Sequence, residues 1–256
     1  MTTWVVDAIL FDLDGTLVDS AGSVERSWRQ LADKIGRPWP EVRPHIHGVP
    51  VRQVMAMLEP DMPPERVEEL RLFMIESESA DTEGVVAQPG AAQVLASLPP
   101  ERVAIVTSGG TRLASARISA AGLPTPGVVV TADDVTIGKP DPGPYLMGAK
   151  LLGFPPERCL VVEDTPAGVA SAKAAGSPVV GVLTTHAALD APTVRTLGEI
   201  TFTPVAAGIE VSIQDGTVDG VGDGTVDGVG DGSADGVGDG SADGAGDGSA
   251  AGPSAD

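Results

Sequence analysis

Two periodicities alternate along the chain. Short runs dense in Val, Ile and Leu, at 5–11, 102–107, 128–131, 159–163 and 178–183, read as strands. A run such as Val128-Val129-Val130 suits a strand covered on both faces. Between these runs lie Ala-rich amphipathic stretches at 111–121, 143–152 and 166–175, which read as helices. Strands alternating with helices predict parallel βαβ units, and so a Rossmann-like, three-layer α/β core around a parallel sheet. The pattern changes between 20 and 84, where three helix-like stretches at 23–35, 51–59 and 64–79 occur with no β-rich run. The last opens on Pro63-Pro64-Glu65, a helix start signal, and sets Val67, Leu70, Phe73 and Met74 on one stripe. Residues 20–87 are therefore expected to form an all-helical insertion, with the core built from 1–19 and 88–213. Near its end, 200–203 and 209–213 alternate like a closing hairpin, with Ala207-Gly208 near the turn.

Four of the strand-like runs, or the loops after them, end in chemistry. The first stops at Asp12-Leu13-Asp14-Gly15-Thr16. Residues i and i+2 of a strand point to one side, roughly 6.5–7 Å apart. Two such carboxylates are costly unless a cation neutralises them or one keeps a proton. An Asp-Gly turn alone would look the same. The second, Thr107-Ser108-Gly109-Gly110, offers hydroxyls and backbone N–H groups before a helix, an anion cradle or simply an N-cap. The third, Gly138-Lys139-Pro140, fixes one cation on a stiff loop, although a solvated lysine would read alike. The fourth, Glu163-Asp164-Thr165-Pro166, ends another buried strand in paired acids, where capping is a rival use for Asp164. Their joint occurrence, in this order, favours a site.

Charge changes the picture less than its size suggests. The formal net charge is −20, but ten of the aspartates lie in 215–256, an eight-residue Gly/Asp repeat with no Lys, Arg or aromatic residue. A tract without bulky apolar residues cannot offset its ordering entropy, so 214–256 is expected to be a disordered tail. Calcium-binding β-roll repeats are the other reading, but their nine-residue period and Gly-Gly pair are missing. Cys159 is the only cysteine, which excludes an intrachain disulfide and suits a reducing compartment. No basic cluster points to nucleic acid, and the N-terminal stretch, interrupted by Asp7 and Asp12, is expected to be neither leader nor membrane span. A cytoplasmic enzyme, monomer or weak dimer, is the expectation.

Together the four constellations fit phosphoryl transfer to a carboxylate. A phosphate monoester is anionic, so Asp12 cannot approach it without cations; Lys139 and a hard cation such as Mg²⁺, held by oxygen, would supply them. Asp12 would form an aspartyl-phosphate, while Asp14 protonates the leaving alcohol and then deprotonates the attacking water.

These blocks, with a helical insertion after the first, resemble motifs I to IV and the C1 cap of the haloacid dehalogenase superfamily, over about residues 5–186. The resemblance implies Asp12 as nucleophile, Asp14 as acid/base and Lys139 as the cation spanning nucleophile and phosphate. It implies phosphate contacts at Gly15, Thr16, Thr107, Ser108 and Gly109, and Mg²⁺ on Asp12, Asp14 (through its carbonyl) and Asp164, with Glu163 assisting. The second acid, Asp14, argues against a dehalogenase.

Ile46-His47-Gly48, Thr82-Glu83-Gly84, Gly138-Lys139-Pro140 and Glu163-Asp164-Thr165-Pro166-Ala167-Gly168 are similar to sugar and polyol phosphatases, which implies a small sugar or polyol phosphate as substrate. In the cap, His47, Arg52 and Glu83 are the candidate substrate contacts. Many relatives carry a cation directly after His-Gly, where this chain has Val49-Pro50 and reaches Arg52 only later. A structural histidine at 47 is an equal alternative. A sugar-phosphate mutase using the same intermediate and a non-catalytic binding protein on this scaffold are the rival readings.

Overall fold

A computed structural model describes residues 1–46 and 49–214. The chain opens on β1 (Thr2–Val6) and β2 (Ala8–Phe11). These were expected as one strand, and the structure corrects that reading: Asp7 breaks the run. Arg158 donates from Nε and from a terminal nitrogen to the two Asp7 carboxylate oxygens, each at 3.0 Å, and Asp7 N–H donates to the Arg158 carbonyl. This clamp lets the chain leave one sheet and enter another.

A short β3 (Val18–Asp19) follows, then α1 (Ala21–Ile35), α2 (Trp39–Val42), α3 (Val51–Leu58) and α4 (Pro64–Ala80). The chain returns through β4 (Val86–Ala87), antiparallel to β3, a small two-stranded ribbon that periodicity did not reveal. The helical segment has its own apolar core, in which Trp28, Leu31, Val54, Met55, Leu70 and Met74 are buried. The stripe expected on α4 is thus half in place, with Val67 and Phe73 packed at the edge of that core. Arg26 clamps the return, binding both Asp81 carboxylate oxygens at 2.6 and 2.9 Å and the Glu83 carbonyl at 2.6 Å.

The remainder alternates as expected: α5 (Ala91–Ser97), β5 (Val103–Val106), α6 (Thr111–Ala120), β6 (Val128–Val130), α7 (Gly143–Leu152), β7 (Cys159–Glu163), α8 (Pro166–Ala174), β8 (Val179–Val182) and β9 (Thr193–Val194). Six strands form one parallel sheet in the order β6-β5-β2-β7-β8-β9. Its two faces bury separate apolar clusters. Ile9, Phe11, Ile105 and Leu160 lie on one; Leu10, Ala104, Val106, Tyr145 and Val161 lie on the other. Every residue of β2, β5 and β7 is buried, as expected of strands covered on both sides. This is a Rossmann-like three-layer α/β core.

The closing hairpin is present as β10 (Ile200–Val205) and β11 (Gly208–Ile213), and β11 also pairs with β1 in a separate three-stranded antiparallel sheet. No helix among the described residues is long and apolar enough to cross a membrane. His47 and the repeat tail at 215–256, expected to be disordered, lie outside the described residues.

Candidate active site

The strand order puts β2 between β5 and β7, so their C-terminal ends meet at one edge, the usual place for a ligand in an open α/β sheet. Lys139 arrives there from the loop after β6. Its Nζ donates to Asp12 Oδ1 at 2.6 Å, to the Val106 carbonyl at 2.9 Å and to Glu163 Oε1 at 2.7 Å. One ammonium therefore ties together the ends of β2, β5 and β7, and all three of its protons are used. Burial works against its charge, but the carboxylates of Asp12 and Glu163 outweigh it and hold the lysine protonated.

Glu163 was expected to assist a metal. Instead both of its oxygens are engaged within the protein. Oε1 accepts from Lys139 and, at 3.0 Å, from the Tyr145 hydroxyl; Oε2 accepts from the N–H groups of Asp164 and Thr165 and from the Thr165 hydroxyl. Burial alone would raise its carboxyl, yet Lys139 and these donors bring it below the usual range. Gly168 stands against this carboxylate so closely that any Cβ would collide with it. Glu163 thus anchors Lys139 and the turn into α8, whose N-cap is Thr165, accepting from Gly168 N–H at 3.0 Å.

The side chains of Asp12 and Asp14 face different cations of the protein. The strand ends at Phe11, and the chain turns through Gly15 at φ +88, where a Cβ would strike the Asp164 carboxylate. Asp12 faces Lys139. Asp14 faces Arg117, whose terminal nitrogen lies 2.6 Å from Asp14 Oδ2, while Ser20 donates to Asp14 Oδ1 at 2.8 Å. Burial pushes the Asp12 carboxyl well up, only partly opposed by Lys139 and reinforced by Glu163 and Asp164.

Asp164 is fully buried at the end of β7. Its carboxylate accepts from Thr16 at 3.2 Å and from the Thr185 hydroxyl, and burial followed by repulsion from Glu163 pushes it up to about 7. Thr184 donates to the Gly15 carbonyl at 2.6 Å, so the loop after β8 completes this side.

The Thr107 turn is partly self-satisfied: Gly109 N–H donates to Thr107 Oγ1 at 3.0 Å, and Thr111 N–H donates to Asp133 at 2.8 Å. Thr107 is buried and Ser108 exposed. The cap candidates lie apart from this cluster in their contacts. Arg52 is exposed and paired with Glu68 of α4 at 2.7 Å, and Glu83 is exposed beside the Arg26 clamp.

Sequence reasoning missed Tyr145 and Arg117. Tyr145 is the only tyrosine, six residues past Lys139; Arg117 sits on the buried face of α6 beside Leu113, Ala114 and Ile118. A charge on an apolar helix face was the available signal.

Among the described residues no three His, Cys, Asp or Glu side chains form a complete metal cage. The donor set nonetheless fits a hard cation. Asp12, Glu163 and Asp164 are buried carboxylates, of which Lys139 binds only the first two, and with Glu163 committed, Asp12 and Asp164 are left short of compensation and raised. Mg²⁺ needs only one or two carboxylates, the rest being carbonyl, water and substrate oxygen.

The fold and site are those of an α/β core with carboxylates at the ends of β2 and β7 and a lysine shared by Asp12 and Glu163. A model of the haloacid dehalogenase-like hydrolases matches residues 6–176, and the chain belongs to that family. It is 48% identical over 180 residues to hexitol phosphatase A of Escherichia coli (strain K12), covering 68% of this chain and 81% of that one. It is 35% identical over 191 residues to glycerol-1-phosphate phosphohydrolase 2 of Saccharomyces cerevisiae, covering 70% of this chain and 76% of that one. Among solved structures, a hydrolase from Pseudomonas syringae superposes with TM-score 0.62 at 30% identity, covering 70% of this chain and 85% of that one.

Proposed function

We propose that the protein is a Mg²⁺-dependent phosphatase of small sugar or polyol phosphate monoesters that works through an aspartyl-phosphate. The observation that carries this reading is the Lys139 ammonium bound to Asp12, Val106 and Glu163 at the end of three adjacent strands. Lys139 holds Oδ1 of Asp12, which leaves Oδ2 to attack phosphorus. The new Oδ2–P bond forms as the P–O bond to the sugar breaks. Asp14 gives its proton to the departing oxygen. Asp14 then takes a proton from water as that water attacks phosphorus, which breaks the Oδ2–P bond, releases inorganic phosphate and restores both acids.

Thr107 and the Ser108 N–H receive the phosphate oxygens, and Gly15, Thr16 and Gly109 shape the pocket around them. Asp12, Asp164 and the Asp14 carbonyl would hold Mg²⁺, which would supply positive charge to offset that of the phosphate. The helical segment 20–87 acts as a cap that closes over the site and excludes bulk water. With residues 20–87 covering the site, small esters rather than macromolecules are the substrates. The names of the relatives support the sugar and polyol class.

A reducing, cytoplasmic setting agrees with Cys159, whose thiol burial pushes up to about 12. The test is a phosphate-release screen over hexitol, hexose, pentose and glycerol phosphates with Mg²⁺ and no bisphosphate activator. Release from a hexitol or glycerol phosphate is expected. Interconversion of sugar phosphates without release would identify a mutase instead.

A further inference from the structure

Arg117 is a buried cation between two carboxylates on different parts of the fold. It stands on α6 of the core with only 4% of its side chain exposed. One terminal nitrogen binds Asp14 Oδ2 at 2.6 Å; the other binds Glu78 Oε2, on α4 of the helical segment, at 2.8 Å. Its Nε is buried without a hydrogen-bond partner among the described residues, so these two carboxylates take its terminal nitrogens one each. The second Asp14 oxygen is held by Ser20, the residue before α1. Both oxygens of Asp14 are thereby fixed by groups that lead into the helical segment. Glu78 is half-buried, with 14% of its side chain exposed.

A guanidinium cannot shed its charge, and a buried one needs its partners. If α4 lifts away, Glu78 leaves with it. Arg117 then has Asp14 alone as its carboxylate partner, and the planar fork can turn to bind it with both terminal nitrogens. With α4 docked, Glu78 occupies one of those nitrogens and Asp14 keeps a single contact.

We infer that Arg117 is a positioning residue that couples the orientation of the Asp14 carboxylate to docking of α4, through the Asp14–Arg117–Glu78 triad centred on the buried guanidinium. The inference rests on the proposed function, in which Asp14 moves the proton. It assigns a role in that step to two residues outside the four motifs.

The leaving group separates this role from a merely structural one. An alkyl phosphate expels a strongly basic alkoxide and needs a placed acid, whereas p-nitrophenyl phosphate expels a weakly basic phenolate and does not. The ratio kcat/KM, which reports steps through the first irreversible one, is measured for both esters. The alkyl ester is sorbitol 6-phosphate or, failing turnover, the alkyl phosphate that wild type hydrolyses fastest. Misplacing a catalytic group costs on the order of a hundredfold, so Arg117→Met should lower kcat/KM for the alkyl ester by about tenfold to a hundredfold.

The loss on p-nitrophenyl phosphate should be smaller by about tenfold, since general acid help is worth at least that much to a poor leaving group. Glu78→Gln, which keeps an acceptor, should show the same selective loss to a lesser degree, and the double variant should be no worse than Arg117→Met. If Arg117→Met does not fold, Glu78→Gln alone decides. Equal losses on the two esters, or none, would overturn the coupling. Wild type that hydrolyses neither ester would overturn the proposed function, and this inference with it.

Discussion

Lys139 Nζ and Asp12 Oδ1 lie 2.6 Å apart although the residues are 127 positions apart in sequence. The contact is buried, and the lysine shares its charge with Glu163. Replacing Lys139 with Ala would leave two buried carboxylates facing each other. Breaking a buried pair in this way costs about 3–5 kcal/mol, which a fall in Tm would register. In the soluble fraction that remains, kcat should fall on the order of a hundredfold to a thousandfold, the scale seen when one charge-stabilising donor is removed. Wild-type kcat in that variant would contradict the role given to Lys139.

Gly168 is fixed by the same cluster. A Cβ there collides with the Glu163 carboxylate, which in turn holds Lys139. Gly168→Ala should therefore destabilise the fold by about 1–3 kcal/mol, the usual cost of overpacking, and lower kcat alongside. Tyr145→Phe is the milder companion, removing one hydrogen bond to Glu163 worth about 1 kcal/mol. Urea titration of both variants orders them.

Asp164 makes stability depend on pH in a definite direction. Its carboxyl is raised from 3.8 to about 7. The folded state thus binds more protons than the unfolded state across that interval, and this group's contribution is lost as pH rises. Per unit of pH the linkage is at most about 1.4 kcal/mol. Metal-free protein should show a Tm that falls between pH 5 and pH 8. Added Mg²⁺ should raise Tm more at pH 8 than at pH 5, because the site is ionised there. Differential scanning calorimetry at the two pH values, with and without EDTA, checks both signs.

Asp7 serves as the control far from the chemistry. Its partners Arg158 and Arg102 are half-exposed, and its carboxyl is lowered chiefly by the hydrogen bonds of Arg158. Asp7→Ala should cost about 1 kcal/mol or less in stability, as partly exposed ion pairs do, and leave kcat/KM unchanged. A loss of activity without loss of Tm would show that β1 and β2 transmit strain to Asp12.

The parallel core was legible because its strands are buried on both faces and announce themselves as unbroken apolar runs. The run at Cys159–Glu163 coincides with β7, and the helical stretch 143–152 with α7. The break at Asp7 was hidden because β1 and β2 are both apolar and adjacent; what separates them is an arginine 151 residues away. For the same reason the acids could be listed but not partnered. Sequence placed Glu163 beside Asp164 as a group assisting a metal, while in the fold its carboxylate faces Lys139, Tyr145 and the α8 turn. Arg117 and Glu78 belong to different helices, and only their packing makes them a pair.

Phosphorylation of Asp12 is best tested by mass spectrometry of acid-quenched enzyme during turnover of a polyol phosphate. A phosphoryl adduct is expected on the peptide that carries Asp12, lost in Asp12→Asn together with phosphate release. Turnover by Asp12→Asn, or an adduct on any other residue, would contradict it.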